Sequence, residues 1–333
     1  MKRMIGLGVA CTAVAGVCWL SISKSWLASA ETPAAKPPRE EFASQRPTAA
    51  KPAVPFDSAR ALRYLDDVCR IGPRISGSEG MKKQQELLQK HFESHGGKIT
   101  WQVFTAKQRS LRQPVEMANL IVSWHPERER RVILCCHYDT RPIADQEPDR
   151  RQWHRPFLSA NDGGSGVAFL MELAHHIKDL PSAVGVDFVF FDGEEYIYDP
   201  RDDKYFFGSE HFAQRYKKNP PRGRYIAAVL LDMIAGQEAR FPIEQNSWFR
   251  AGKLTSDLWT IAAEQGCTAF VPQLGPAVLD DHLALNDAGI PAVDIIDFDY
   301  PHWHRLSDVP ANCSGEPMAQ VARVVSVWLQ RVR

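Results

Sequence analysis

Short, continuous apolar runs are the feature of this sequence that most constrains its fold. They cover residues 101–104, 119–123, 132–136, 186–191, 226–231 and 292–296. Several are rich in β-branched residues and do not alternate with polar ones, which is typical of strands buried on both faces of a sheet. Apolar stripes at helical spacing lie between and around these runs, at residues 58–71, 79–92, 164–180, 255–265 and 317–331. We therefore predict an α/β fold: a single domain with a twisted, mostly parallel sheet and helices on both faces.

The N-terminal region has a different composition from the rest of the chain. Lys2 and Arg3 precede an apolar run over residues 4–20, and a small-x-small site follows at Ala28-Ser29-Ala30. This pattern predicts an export signal over residues 1–30, and the alternative is an uncleaved membrane anchor. We therefore expect an exported protein, either secreted or periplasmic, or else tethered to a membrane by this segment alone.

A linker is predicted between that segment and the folded domain. Residues 31–55 are rich in Pro and Ala and lack the apolar residues that a core requires. The predicted domain then covers residues 56–333. Lys plus Arg and Asp plus Glu each number 40, so the formal net charge is zero. This balance gives no indication of a nucleic-acid partner, which would favour a basic surface.

Polar residues follow the predicted strands at the points where those strands end. His137 and Asp232 come directly after two buried runs, and Glu195 follows a third. Asp162 precedes a predicted helix, and the last strand leads toward His304. Because parallel strands present their carboxyl ends at one edge of a sheet, we expect these side chains to converge there. Carboxylates so close would repel one another unless a cation bound, and oxygen plus imidazole ligands suit a catalytic zinc ion.

The adjacent pair Glu194-Glu195 is the sharpest local signal. It follows an apolar run and Gly193, and neighbouring side chains of an extended segment point in different directions. One carboxylate can then bind metal while the other faces the substrate as an acid or base.

These motifs resemble the M28 type of zinc aminopeptidases. The resemblance is carried in order by His137-Tyr138-Asp139, Asn161-Asp162-Gly163-Gly164, Glu194-Glu195, Asp232-Met233 and His304, over roughly residues 56–333. It implies that Asp162 bridges two metal positions and that Glu194 is a general base. It also implies that His137, Glu195, Asp232 and His304 are metal ligands.

Other segments are more similar to one branch of that family, the glutaminyl-peptide cyclotransferases. They are Gly72-Pro73-Arg74, Phe190-Phe191-Asp192-Gly193-Glu194-Glu195, the insert at residues 196–207, Leu230-Leu231-Asp232-Met233-Ile234, Asp280-Asp281-His282 and Trp303-His304. Two features depart from the pattern of the animal enzymes. Tyr196 and Tyr198 stand where those enzymes have a Trp, and Val167 stands where a Cys would pair with Cys136, so no such disulfide is predicted.

The resemblance implies a zinc-dependent acyl transfer in which an N-terminal Gln of a peptide or protein closes to pyroglutamate and releases ammonia. One zinc ion would be bound by Asp162, Glu195 and His304. Glu194 would transfer the proton, and Asp232 and Asp281 would form a carboxylate network that carries or orients it.

The substrate pocket implied by the same resemblance is aromatic. Trp303 would hold the Gln side chain bent toward its own amine, and Tyr196 and Tyr198 would line another wall.

Two alternatives remain open from the sequence. The first is a two-zinc aminopeptidase, in which His137 and Asp232 bind the second ion together with the bridging Asp162. The second is a non-catalytic metal-binding module on the same scaffold, although such a module would have no need of Glu194. All five candidate ligands are present, so counting ligands does not distinguish the first alternative from the cyclase.

Overall fold

A six-stranded sheet forms the centre of the fold in the computed structural model, which describes residues 53–221 and 223–333. The sheet strands are β1 (Lys98–Ala106), β2 (Val115–Trp124), β3 (Arg130–His137), β4 (Gly185–Phe191), β5 (Arg224–Asp232) and β8 (Ala292–Ile296). A separate two-stranded sheet pairs β6 (Phe241–Ile243) with β7 (Phe270–Leu274). The predicted export or anchor segment, and the predicted linker up to residue 52, lie outside the described residues.

The strand order is β1-β2-β4-β3-β5-β8. The strands β4, β3, β5 and β8 are mutually parallel, whereas β1 and β2 are added to one edge in antiparallel register. The four parallel strands therefore place their carboxyl ends at one edge, as the sequence analysis predicts.

Helices cover the sheet, and the described ones are α1 (Ser58–Arg70), α2 (Glu79–Ser94), α3 (Gly164–Ile177), α4 (Phe207–Lys218), α5 (Gln245–Glu264), α6 (His282–Asp287) and α7 (Gly315–Arg331). Successive residues of one strand belong to different apolar clusters. Leu134 packs in the large cluster formed with α1, α2, α3, α5 and α7, whereas Ile133 and Cys135 pack in the smaller cluster with α4 and α6. Since strand side chains alternate between faces, both faces of the sheet are buried and the α/β prediction is confirmed.

Helix boundaries follow the capping residues where such residues exist. Asp57 accepts a hydrogen bond from Arg60 N at the start of α1, and Ser78 accepts one from Met81 N at the start of α2. Both helices are therefore found where the sequence predicts them. In α5 the prediction covers only the second half, because the helix begins at Gln245 and is interrupted by non-helical backbone at Ala251.

Two helices and two strands were not predicted, and each lacks a clear sequence signal. The helix α4 follows Phe206, which has a left-handed backbone conformation (φ 64°). Its side chain makes no hydrogen bond that caps the helix. The helix α6 has only six residues and also lacks a side-chain cap. The strands β6 and β7 have three and five residues.

The described cysteines are buried free thiols, namely Cys69, Cys135, Cys136, Cys267 and Cys313. They fill space in the core, as expected of small apolar side chains. Among the described residues, no helix combines the length and the apolar character that crossing a membrane requires.

A buried ion pair ties three central strands together near their amino ends. Arg131 of β3 donates from Nε to Asp187 of β4 at 3.0 Å, and Tyr225 of β5 donates its hydroxyl to the same carboxylate at 2.6 Å. Both charged side chains are nearly inaccessible to solvent (7% and 3% exposed). A charge in such a place is stable only while its partner is present.

We predict that Arg131→Met destabilises the protein strongly, because Asp187 is then buried without a counter-charge. The expected loss is about 3–5 kcal/mol in the free energy of unfolding, measured by denaturant titration. Lys253→Met is the matched control, since Lys253 pairs with Asp257 but is 88% exposed. Equal effects of the two substitutions would contradict the stabilising role of the buried pair.

Candidate functional site

The carboxyl edge of the sheet collects the polar residues that the sequence analysis singles out. His137 is the last residue of β3 and Asp232 the last of β5, and Glu195 lies shortly after β4. Asp162 precedes the first turn of α3, and His304 lies in the loop after β8. All five side chains are buried, with exposed fractions of 9% or less.

Asp162 lies at the centre of the cluster. Its Oδ1 is 3.1 Å from His137 Nε2, which is in turn 3.3 Å from Asp232 Oδ1. Its other oxygen, Oδ2, is 3.4 Å from His304 Nε2, and that nitrogen is 2.7 Å from Glu195 Oε1. Two groups of three potential ligands, each with donor atoms within 4.8 Å of one another, therefore share one carboxylate.

The donor atoms fit a metal ion better than they fit one another. His304 Nε2, Glu195 Oε2, Asp162 Oδ2 and Asp232 Oδ1 are buried and make no hydrogen bond, although they lie close together. Buried polar atoms without hydrogen bonds are costly, so their convergence favours a bound cation. Carboxylate oxygen and imidazole nitrogen without thiolate is the donor set of catalytic zinc sites.

The electrostatics of the cluster reflect this crowding. Burial and the neighbouring charge of Glu195 raise the pKa of Asp162 to about 6. Burial, again with Glu195, raises the pKa of Glu194 well above its ordinary value. Burial would also raise the pKa of Glu195, but His304 and Arg141 outweigh it and lower that pKa to about 2. The pKa of Glu194 is thus raised while that of the adjacent Glu195 is lowered, which suits different roles for the two carboxylates.

Two buried carboxylates fix the loops that carry the ligands. Asp139 accepts hydrogen bonds from the backbone nitrogens of Glu194 (3.2 Å) and Glu195 (3.0 Å). Asp308 accepts from the backbone nitrogens of Asn161 (2.8 Å) and Asp162 (3.2 Å). The sequence analysis assigns neither residue a role, yet each positions a metal-binding or proton-transferring carboxylate.

Two further residues orient the ligand side chains. Asp145 Oδ1 is 3.1 Å from His304 Nδ1, the ring nitrogen that faces away from Asp162 and Glu195. Arg141 donates from Nη1 to Glu195 Oε1 at 3.0 Å and binds both oxygens of Asp145. A carboxylate on the far nitrogen of a metal-binding His fixes its tautomer and raises its basicity. Both residues lie in a loop without a sequence motif, so only the structure identifies them.

Backbone strain is concentrated next to the ligands. Met233, immediately after Asp232, has φ 48°, and His304 itself has φ 53°. Gly163, beside Asp162, has φ 78°, and a Cβ atom there would lie 2.8 Å from His137 Cε1. Left-handed backbone at non-glycine residues costs energy and persists where surrounding contacts determine the geometry.

Acidic residues continue from Asp232 away from the ligand cluster. Burial raises the pKa of Asp281 to about 7, and the negative charges of Asp139 and Asp232 act in the same direction. The pKa of Asp280 is raised by burial, by Asp232 and by Asp281. Asp280 thus lies close to Asp232 and Asp281, the pair for which a carboxylate network is predicted.

Trp303 lies directly against the ligand His304, with ring centroids 4.0 Å apart. It packs on an apolar cluster formed by Met233, Val278, Ile296 and Tyr300. Its position beside a candidate ligand agrees with the location predicted for a pocket wall.

Tyr196 and Tyr198 lie in a different apolar cluster from Trp303. Tyr196 is packed with Ala106 and Met117 of the first two strands, and Tyr198 lies against it. Asp203 accepts hydrogen bonds from Tyr198 N and from Ser110, which holds the insert against the region after β1. The expectation that these tyrosines share a pocket with Trp303 is therefore not supported by any contact between them.

The insert contributes another aromatic residue close to the ligands instead. The Tyr205 hydroxyl accepts a hydrogen bond from Arg141 Nη2 at 3.0 Å, and Arg141 also contacts the candidate ligand Glu195. Tyr205 lies in the same insert as Tyr196 and Tyr198, but the folding of the insert decides which tyrosine approaches the site.

Comparisons with known proteins agree with this geometry. The model of peptidase family M28 matches residues 119–329. The glutaminyl-peptide cyclotransferase-like protein of Mus musculus is 27% identical over 283 residues, which covers 77% of this chain and 71% of that protein.

Comparison with solved structures indicates the same family. The crystal structure of Fimbriiglobus ruber glutaminyl cyclase superposes with a TM-score of 0.84 and 52% identity, covering 87% of this chain and 100% of that chain. A leucine aminopeptidase precursor from Bacteroides thetaiotaomicron superposes with a TM-score of 0.78 at 28% identity, covering 84% and 98%. The predicted resemblance is confirmed: this chain belongs to peptidase family M28, within its glutaminyl cyclase branch.

Proposed function

We propose that this protein is a zinc-dependent glutaminyl cyclase, which converts the N-terminal Gln of peptides or proteins to pyroglutamate and releases ammonia. The observation that carries the proposal is the position of Glu194. It is a buried carboxylate beside the zinc-type ligand set, in a chain that is 52% identical to a glutaminyl cyclase. The N-terminal segment supports export of the enzyme to a compartment outside the cytoplasm.

Asp162, Glu195 and His304 are the residues that would hold the zinc ion. Their three donor atoms converge and are buried, and Asp145 and Arg141 fix two of the side chains. When bound there, zinc supplies a Lewis acid for the side-chain amide carbonyl of the substrate.

Glu194 moves the proton in the proposed reaction. The substrate amine attacks its own side-chain amide carbon, so a C–N bond forms within the substrate and the bond to the amide nitrogen breaks. Glu194 accepts a proton from the attacking amine and returns it to the leaving nitrogen, which departs as ammonia. Its backbone nitrogen is held by Asp139, so its position next to Glu195 is fixed.

We assign Asp232, Asp280 and Asp281 to a carboxylate network beside Glu194, and burial raises the pKa of Asp280 and of Asp281. The burial of Asp280 and Asp281 favours their neutral forms, so they can donate hydrogen bonds that fully ionised carboxylates cannot. His137 lies within 3.3 Å of Asp232 and so links this network to Asp162.

Trp303 supplies the apolar surface on which the substrate side chain would bend. Ring closure joins two ends of one flexible residue, so holding them together lowers the entropic part of the barrier. A flat indole next to His304 is suited to this because it excludes water and restricts the Gln side chain.

The two-zinc aminopeptidase is the second candidate function, and one observation supports it. His137, Asp162 and Asp232 form a second group of converging donor atoms that could hold another ion. The similarity to a leucine aminopeptidase precursor is weaker than that to the cyclase, at 28% against 52% identity. We therefore propose one zinc ion in the active site, where His137 and Asp232 would form hydrogen bonds instead of binding a second ion.

We predict that the purified protein releases ammonia from Gln-naphthylamide and releases no amine from Leu-anilide. Ammonia is measured with a coupled enzyme assay and the free amine by its absorbance. Removal of metal by a chelator should abolish ammonia release, and added zinc should restore it. Amine release from Leu-anilide without ammonia release from Gln-naphthylamide would instead favour the aminopeptidase.

The roles of the adjacent glutamates can be separated by matched substitutions. We predict that Glu194→Gln retains zinc and lowers the rate by about 10²–10⁴-fold, the usual contribution of a positioned acid–base group. Glu195→Gln should weaken zinc binding, because a neutral amide is a poorer ligand for a cation. Metal content is measured beside the rate for both variants. Loss of zinc from Glu194→Gln but not from Glu195→Gln would reverse the assigned roles.

Asp145 is predicted to strengthen zinc binding through His304. Asp145→Asn removes the negative charge on the far ring nitrogen, so zinc affinity should fall by about 10–100-fold. Competition with a chromophoric chelator measures this change. Asp149→Asn, an exposed carboxylate in the same loop that binds Arg151, is the control and should leave the affinity unchanged. Unchanged affinity in Asp145→Asn would remove Asp145 from the site.

A further inference from the structure

A cluster of three histidines lies away from the active site, where α2 and α3 pack together. His91 is in the last turn of α2, His95 is its C-terminal cap, and His175 is in the last turn of α3. All three side chains are half-buried. The active-site ligand Asp162 precedes the opposite end of α3, so the rise of the helix separates His175 from the active site by about 16 Å along its axis.

We propose that His91, His95 and His175 form a second metal site, which binds one divalent transition-metal ion such as Zn²⁺. One ring nitrogen from each of the three lies within 4.8 Å of the other two. His95 Nε2 and His175 Nδ1 are 3.3 Å apart. Two nitrogens bound to a tetrahedral zinc ion at about 2.0–2.1 Å are separated by about 3.3–3.4 Å, so this pair is already at ligand spacing.

In each of the three rings, the nitrogen that would not bind the metal contacts the surrounding protein. His91 Nε2 donates to the carbonyl oxygen of Met171 at 2.9 Å, and His95 Nδ1 donates to that of His91 at 2.8 Å. Because carbonyl oxygens only accept, the lone pairs of these rings are on His91 Nδ1 and His95 Nε2. The Tyr64 hydroxyl contacts His175 Nε2 at 2.7 Å, and His175 Nδ1 is at hydrogen-bond distance from His95 Nε2. To bind a metal through Nδ1, His175 takes the tautomer with its proton on Nε2, which then donates to the Tyr64 oxygen. A hydrogen bond on the far nitrogen is the usual surrounding of a metal-binding His.

The protonation of the cluster also suits a metal. Burial and the neighbouring rings lower the pKa of His91 to about 4. Burial, with Arg60, lowers the pKa of His175. Neutral imidazole is the form that binds a metal, so no proton has to be displaced from these two rings near neutral pH. Imidazole ligands suit zinc, copper and nickel, whereas magnesium prefers oxygen.

An ion at this site would join α2 to α3, with Tyr64 of α1 as a supporting contact. A ligand that binds only the folded state raises its stability. The site would therefore stabilise the helical layer without touching substrate, and it does not depend on the proposed cyclase activity.

The test removes the active-site metal and then asks whether another ion remains. Asp162→Ala protein, full-length and stripped with a chelator, is titrated with Zn²⁺ against a chromophoric competitor. We expect one zinc ion per chain, a rise in melting temperature on adding zinc, and no comparable effect of Mg²⁺. Adding His95→Asn or His175→Gln to this variant should abolish both the binding and the temperature shift.

A second comparison keeps the test decisive if Asp162→Ala folds poorly. In the otherwise unchanged chain, His95→Asn should lower the zinc content by one ion while the rate of Gln cyclisation per protein stays unchanged. His154→Asn, at an exposed position, controls for loss of a surface His and should keep every ion. Zinc content unchanged by His95→Asn, or equal losses in His95→Asn and His154→Asn, would overturn the proposal.

Discussion

The concentration of buried negative charge at the carboxyl edge of the sheet is the constraint on which this structure depends. Asp162, Glu194, Glu195 and Asp232 are each at most 9% exposed. Burial of several carboxylates is unfavourable unless protons or a cation neutralise them. A bound metal ion would neutralise one part of the cluster, and the raised pKa values of Asp162 and Glu194 favour their protonated forms. The same arrangement would therefore supply both a metal site and groups able to transfer protons.

Further carboxylates, rather than apolar contacts alone, fix this charged cluster in place. Asp139 binds two backbone nitrogens after β4, and Asp308 binds two before α3. Each carboxylate accepts hydrogen bonds from backbone N–H groups that would otherwise be buried without partners. The loops are thus determined by local hydrogen bonds, and the strained backbone at Met233 and His304 can persist because of them.

The sequence predicts the parts of the molecule that depend on regular structure. His137 and Asp232 are found at strand ends because continuous apolar runs mark those ends in the sequence. Asp145 and Arg141 could not be predicted, since their contacts depend on the path of an irregular loop. The contacts of Tyr196 could not be predicted for the same reason, because the insert folds toward Gln108 and Asp203, which no periodicity reveals.

The helix α3 shows how one element can serve two sites for different physical reasons. At its start, Gly163 adopts a backbone that lets Asp162 approach His137 without a steric clash. At its end, His175 meets two histidines of α2 only because the helices pack side by side. The first feature, Asp162 followed by Gly163, is a local motif that can be recognised in the sequence. The second joins His91 and His95, spaced i, i+4 in the sequence, to His175, which is 80 positions from His95, so spacing within α2 alone does not reveal the third histidine. Sites that join two helices across a packing interface are therefore the ones for which a structure adds most to the sequence.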